Sequence, residues 1–99
     1  MNGARWWLVC YDVRDPARLR RTARKMEAYG QRMQYSVFRC WMTPLLMQRL
    51  RHELTELLEP EDDVLMIPLC GECVAGVQVT HSAVKQPEWP ESPTRHRIV

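Results

Sequence analysis

The sequence predicts an α+β domain with the element order β-α-β-β-α-β, a sheet carrying two helices. Three observations lead there. An apolar run, Trp6–Tyr11, opens the chain and ends in a single carboxylate, Asp12. Two cap-then-proline pairs, Asp15-Pro16 and Thr43-Pro44, each precede a stretch with helical apolar spacing. Strand-like runs, Met33–Met42 and Val64–Leu69, follow those two stretches.

The first strand, Arg5–Asp12, alternates Trp6, Leu8 and Cys10 with Trp7, Val9 and Tyr11. Both faces are apolar, so both should be covered. Asp15 then caps a helix running from Pro16 to about Tyr29, and Gly30 suits the left-handed residue after its end. Leu19, Ala23 and Met26 fall on the inner face of this helix. Arg18, Arg20, Arg21, Arg24 and Lys25 fall largely outside. Within Met33–Met42 the alternation becomes irregular at Phe38–Trp41, which predicts a bulge or two shorter strands with a tight break. After Thr43-Pro44, a second helix buries a stripe of Leu46, Leu50, Leu54, Leu57 and Leu58. Pro60–Asp63 forms a turn, Val64–Leu69 a strand and Val74–Thr80 a weaker strand.

With two strands in the middle region, this is the ferredoxin-like β-α-β-β-α-β sandwich, with an extra C-terminal strand expected at Thr94–Val99. Residues 1–85 form that domain. Residues 86–99, with Pro87, Pro90 and Pro93, form an extended tail. Two helices cover one face of such a sheet, so the other face calls for a partner, and a symmetric homodimer supplies one.

The totals set the class. Ninety-nine residues make one domain, 45% hydrophobic and 26% charged, which is globular rather than disordered. No apolar run approaches the ~20 residues of a membrane span, and no secretory pattern opens the chain, so the expected location is cytoplasmic. Cys10, Cys40, Cys70 and Cys73 are then expected to be reduced. Met1–Arg51 holds eleven Lys/Arg and three Asp/Glu, a net of +8, whereas His52–Val99 carries a net of −6. The first half has the sign of a surface that meets phosphates.

Asp12 is the candidate catalytic and metal-binding residue. Mg²⁺ takes oxygen ligands, keeps several waters and needs only one or two carboxylates beside a substrate phosphate. One Asp per chain is too few, but a two-fold dimer that joins two copies of Asp12 supplies the pair. The competing reading is structural: Asp12 caps the following turn or pairs with Arg14. The candidate nucleic-acid contacts are Arg14, Arg18, Arg20, Arg21, Arg24, Arg32 and Ser36. For the basic helix the alternative is a solvated face, although only Asp15 and Glu27 lie near to balance it. Ser36 has no His or Lys at motif spacing to make it a nucleophile. Cys70-Gly71-Glu72-Cys73 is half of a zinc site, where two such pairs would make the signal strong. His52, His81 and His96 match no ligand spacing.

A strand ending Tyr11-Asp12-Val13, a basic helix, then Tyr29, Gly30, Arg32, Gln34, Ser36, Val37 and Phe38 in a Y-G-x-R-x-Q-x-S-V-F pattern together resemble the CRISPR-associated Cas-two family. Asp63-Val64, Pro68-Leu69-Cys70 and Cys73 are similar to common members as well, so the resemblance spans Trp6 to Cys73. Arg39 departs from it, since an acidic residue often follows the Phe. The resemblance implies a ferredoxin-like homodimer that partners the Cas-one integrase in spacer acquisition. It also implies metal-dependent nuclease activity against single-stranded RNA or duplex DNA. The family's metal-binding Asp maps to Asp12, and its functional arginines map to Arg18, Arg20 or Arg21.

Three functions compete. A Mg²⁺-dependent phosphodiesterase would centre on Asp12. A scaffold would hold duplex DNA between integrase dimers with no chemistry of its own. A ferredoxin-like small-molecule regulator fits the basic first half poorly. The apolar strands show no second acidic residue and no general base, which ranks spacer acquisition ahead of a self-contained nuclease.

Overall fold

The structure is a computed structural model that describes residues 3–77. The elements are β1 (Arg5–Asp12), α1 (Pro16–Glu27), β2 (Gln31–Gln34), β3 (Val37–Met42), α2 (Pro44–Leu57), β4 (Asp63–Leu69) and a short α3 (Gly71–Gly76). The four strands form one antiparallel sheet of order β2-β3-β1-β4, the ferredoxin-like arrangement. The residue 86–99 tail and the Thr94–Val99 strand lie outside the described residues.

Both helix starts are built from the residues the sequence singled out. The Asp15 carboxylate accepts from the Arg18 amide at 2.9 Å, and the Thr43 hydroxyl accepts from the Leu46 amide at 3.1 Å. Each satisfies one of the amides that a first helical turn leaves without a carbonyl. The irregular middle region is two strands joined at Tyr35-Ser36, with a register shift between Arg32 and Gln34.

Two expectations are corrected. Val74–Val77 is not a strand: the Val74 amide bonds the Cys70 carbonyl at 3.0 Å, starting a helical turn as soon as β4 ends. The rest of that expected strand, residues 78–80, lies outside the described residues. Gly30 is not left-handed, since among the described glycines only Gly3 has a positive φ. Helix α1 stops at Glu27, and the Tyr29 and Gly30 amides both return to the Met26 carbonyl at 2.9 Å. Gly30 is required by contact instead. A Cβ there would run into the Arg39 carbonyl and lie 2.6 Å from the Cys40 sulfur.

Pleating sends the two sides of β1 to different surroundings. Val9 and Tyr11 join Phe38, Cys40 and Met42 in the core, against Met26 of α1 and Leu50 and Leu54 of α2. Tyr29 ties the helices together by donating to Glu53 at 2.9 Å. Burial and this bond push the Tyr29 hydroxyl up to about 12. Among the described residues, neither α1 nor α2 packs on the other face. There the β1 register places Trp6, Leu8, Cys10 and Asp12 beside Leu69, Ile67, Leu65 and Asp63 of β4. Trp6 is covered locally, by Trp41 edge-on at 5.4 Å and by the Arg39 guanidinium at 5.1 Å. Leu65 is 63% exposed and Ile67 40%.

Gly30→Ala should therefore destabilise the fold by about 1–3 kcal/mol, because backbone rather than a flexible side chain must give way. Urea denaturation should show a lower midpoint at an unchanged slope. An unchanged midpoint would show that the β2–β3 hairpin yields freely at this point.

Candidate nucleic-acid interface and carboxylate site

One end of the sheet gathers Asp12, Arg14 and Ser36 of the predicted site residues. Strand β1 ends there at Asp12, β4 begins at Asp63, and the β2–β3 turn brings Ser36 alongside. The Tyr11 amide donates to the Ser36 carbonyl at 3.1 Å. Val13, Arg14 and the cap Asp15 follow Asp12 directly, and α1 begins at Pro16.

The structural work that the competing reading assigns to Asp12 is done by Asp62. Its side chain is buried and accepts from the Arg14 amide at 3.0 Å, the Glu59 amide at 3.0 Å and the Arg18 guanidinium at 2.8 and 3.1 Å. Arg18 also reaches Glu61 at 3.1 Å. The Arg18 guanidinium holds the Asp62 carboxyl well below the usual carboxylate range, and the two amides add to this against the push of burial. Among the described residues, no ion pair or side-chain hydrogen bond holds Asp12 or Asp63. Asp12 is exposed, and it neither caps the turn nor pairs with Arg14.

Asp12 and Asp63 face each other as directly paired residues of β1 and β4. Like charges so placed repel and destabilise a sheet. This overturns the expectation that the apolar strands hold no second acid. The signal was present in the sequence, since Asp63 directly precedes the apolar run Val64–Leu69, but only strand register sets it opposite Asp12. Both donors are oxygens, which suits a hard cation such as Mg²⁺. Among the described residues, no cluster of three His, Cys, Asp or Glu joins them.

The predicted cations divide into two groups. Arg20, Arg21 and Arg24 are exposed on α1 and have no ion-pair partner among the described residues. The three- and four-residue spacings of Arg21 and Arg20 from Arg24 put them on one helix surface. Arg14 is exposed at the same end as Asp12, and Ser36 is half-buried in the turn. Arg32 lies over the Phe38 ring at 5.2 Å and 3.9 Å from Glu27. Arg18 differs, because Asp62 and Glu61 engage its guanidinium. Tyr11, stacked on Phe38 at 6.1 Å, has a buried hydroxyl with no hydrogen-bond partner among the described residues.

A cavity of about 670 Å³ lies on the helix side of the sheet, lined in part by Trp7, Met47, Leu54, Leu58, Val64 and Met66. Asp62 and Glu59 also line it, and the sheet separates it from Asp12 and Asp63, because Val64 and Met66 alternate with Asp63 and Leu65 along β4.

Among the described residues, these features define a ferredoxin-like protein with an exposed apolar sheet face that ends in two carboxylates beside a basic helix. The family model described as CRISPR associated protein Cas2 matches residues 5–77. A protein of Nitratidesulfovibrio vulgaris named CRISPR-associated endoribonuclease Cas2 is 38% identical over 97 residues, 93% of this chain and 94% of its own. One of Synechocystis with the name CRISPR-associated endoribonuclease Cas2 2 is 46% identical over 66 residues, covering 65% of this chain and 71% of its own. The crystal structure of Streptococcus pyogenes Cas2 superposes with a TM-score of 0.68 at 35% identity, covering 75% of this chain and 96% of that one. The chain belongs to the CRISPR-associated Cas2 family.

Asp62 should control the acid limit of stability. Its carboxyl is lowered in the folded state, so its contribution is complete above the unfolded value of 3.8 and is lost as pH falls below it. Asp62→Asn should lower stability at neutral pH and flatten the stability profile below about pH 4. Denaturation across pH 2–7 would check this, and parallel profiles for the two proteins would contradict it.

Proposed function

We propose that this protein acts in CRISPR adaptation, the acquisition of spacers, as a nucleic-acid-binding homodimer that partners the Cas-one integrase. We further propose a Mg²⁺-dependent phosphodiesterase centre at Asp12, acting on duplex DNA or single-stranded RNA. The observation that carries this reading is the state of Asp12: exposed, without a structural partner among the described residues, and opposed by Asp63 at the rim of the sheet face on which Leu65 and Ile67 are exposed. The names of the relatives support it.

A second copy seated on the open face would cover Leu65 and Ile67 and bring its own Asp12 towards the first. Asp12 and Asp63 would hold the ion. When bound, Mg²⁺ supplies an activated water and neutralises charge that develops on a phosphate. Arg14, Arg20, Arg21, Arg24 and Arg32 would hold the phosphate backbone, with Ser36 a hydrogen-bonding neighbour. Arg18 contributes by fixing the β1–α1 junction against Asp62, which sets where Arg14 and Asp12 stand.

Replacing Leu65 and Ile67 with Glu should convert the dimer to a monomer that still folds, because both side chains are already exposed in one copy. Sedimentation over a range of concentrations would read this. A variant that still dimerises would place the interface elsewhere.

Asp12→Asn separates the centre from the scaffold. It is nearly isosteric and removes the charge that Mg²⁺ needs. Metal-assisted stabilisation is worth several kcal/mol, so cleavage should fall at least about a hundredfold while duplex affinity and partner-dependent integration persist. Unchanged cleavage would remove Asp12 from the chemistry. Loss of both cleavage and integration would favour the alternative in which a self-contained nuclease, rather than a scaffold, is what acquisition requires.

A further inference from the structure

Cys70 and Cys73 stand apart from the carboxylate end of the sheet, where β4 finishes and α3 begins. Their sulfurs lie 3.2 Å apart, and both residues are exposed. The Cys73 amide donates to the Cys70 sulfur at 3.4 Å. Among the described residues, apart from the chain neighbours of Gly71 and the backbone of α3, no atom lies within 4 Å of where a Cβ on Gly71 would sit, so this side of the turn is open. We propose that Cys70 and Cys73 form a redox site, a dithiol that a small-molecule disulfide oxidises reversibly to an intramolecular disulfide.

The geometry needs little change. A disulfide bond is about 2.05 Å long, so the sulfurs must approach by roughly 1.2 Å, within reach of side-chain rotation in a four-residue turn. Among the described residues, no third His, Cys, Asp or Glu completes a metal site with the pair. The two thiols differ in readiness. Hydrogen bonds from the Cys73 amide and thiol and the Glu72 amide lower the Cys70 thiol, which makes it the attacking group. Cys10 and Cys40 serve as internal controls: burial raises both thiols, Cys40 to about 12.

With oxidised glutathione as the oxidant, the exchange balances in two steps. The Cys70 thiolate attacks one glutathione sulfur, forming a mixed disulfide and expelling one glutathione thiolate. The Cys73 thiol loses its proton and attacks the Cys70 sulfur, closing the ring and expelling the second glutathione thiolate. The pair gives up two electrons, the oxidant becomes two thiols, and the two protons from Cys70 and Cys73 end on them. The product ties the start of α3 to the end of β4, beside the Trp6–Leu69 pair.

The test uses the full chain, incubated with glutathione buffers of graded redox potential, alkylated and mapped by mass spectrometry. The wild type should lose two hydrogens, with Cys70 and Cys73 protected from alkylation together and Cys10 and Cys40 unprotected once the chain is denatured. Excess reduced glutathione should reverse this. Cys73→Ser should accumulate one glutathionyl group on Cys70, and Cys70→Ser should react about tenfold more slowly at Cys73. The proposal is overturned if Cys70 and Cys73 stay open to alkylation in excess oxidised glutathione, if the adduct falls on Cys10 or Cys40, or if the purified chain holds zinc through these two thiols. The wild-type mapping decides the matter even if a variant fails to fold.

Discussion

A central strand that is apolar on both sides sets the terms for the rest of this fold. Strand β1 pairs with β3 on one edge and β4 on the other, so every residue it carries must find its place above or below the sheet. Helices α1 and α2 take up the Val9–Tyr11 side. Among the described residues, the Trp6–Leu8–Cys10 side is served by the sheet itself: Trp41 and Arg39 cover Trp6, while Leu65 and Ile67 of β4 are exposed. Nothing in β1 can be turned over to relieve this, because a shift of one residue would exchange the two faces entirely.

The division of labour among four neighbouring aspartates follows from that geometry. Asp62, just before β4, is buried and collects two backbone amides and a guanidinium. Asp15 caps α1. The β1–α1 junction is thereby held without help from Asp12. Asp12 and Asp63 stand opposed on the open face, where their repulsion is a cost to the isolated sheet that a cation would relieve. A buried carboxylate with three sets of donors holds a turn, whereas the exposed pair does no such structural work among the described residues and fits the role proposed for Asp12.

The open face and the basic surface of α1 lie on different parts of the molecule and make separate demands. Packing a second copy depends on apolar area. Phosphate binding depends on charges that stay in water, which Arg20, Arg21 and Arg24 do. Cys70 and Cys73 lie at the far end of β4 from Asp63. Chemistry at those thiols can therefore proceed without touching the carboxylates.

Local signals in the sequence determined the elements, because each depends on residues close together in the chain. Asp15-Pro16 and Thr43-Pro44 start helices by satisfying amides three residues on, and the double apolar alternation of Trp6–Tyr11 identifies a buried strand. The pattern from Tyr11 to Phe38 likewise pointed to the family. Where spacing along the chain did not show a contact, the deciding partner was distant in sequence. Gly30 looked like a helix cap, but it is glycine because Arg39 and Cys40 press against it. Arg18 looked like a phosphate ligand of the same kind as Arg20, yet Asp62, forty-four residues away, engages it. Asp63 looked like part of a turn until register set it across from Asp12. Only the tertiary structure could decide these, because antiparallel pairing, and not spacing along the chain, chooses which charges meet.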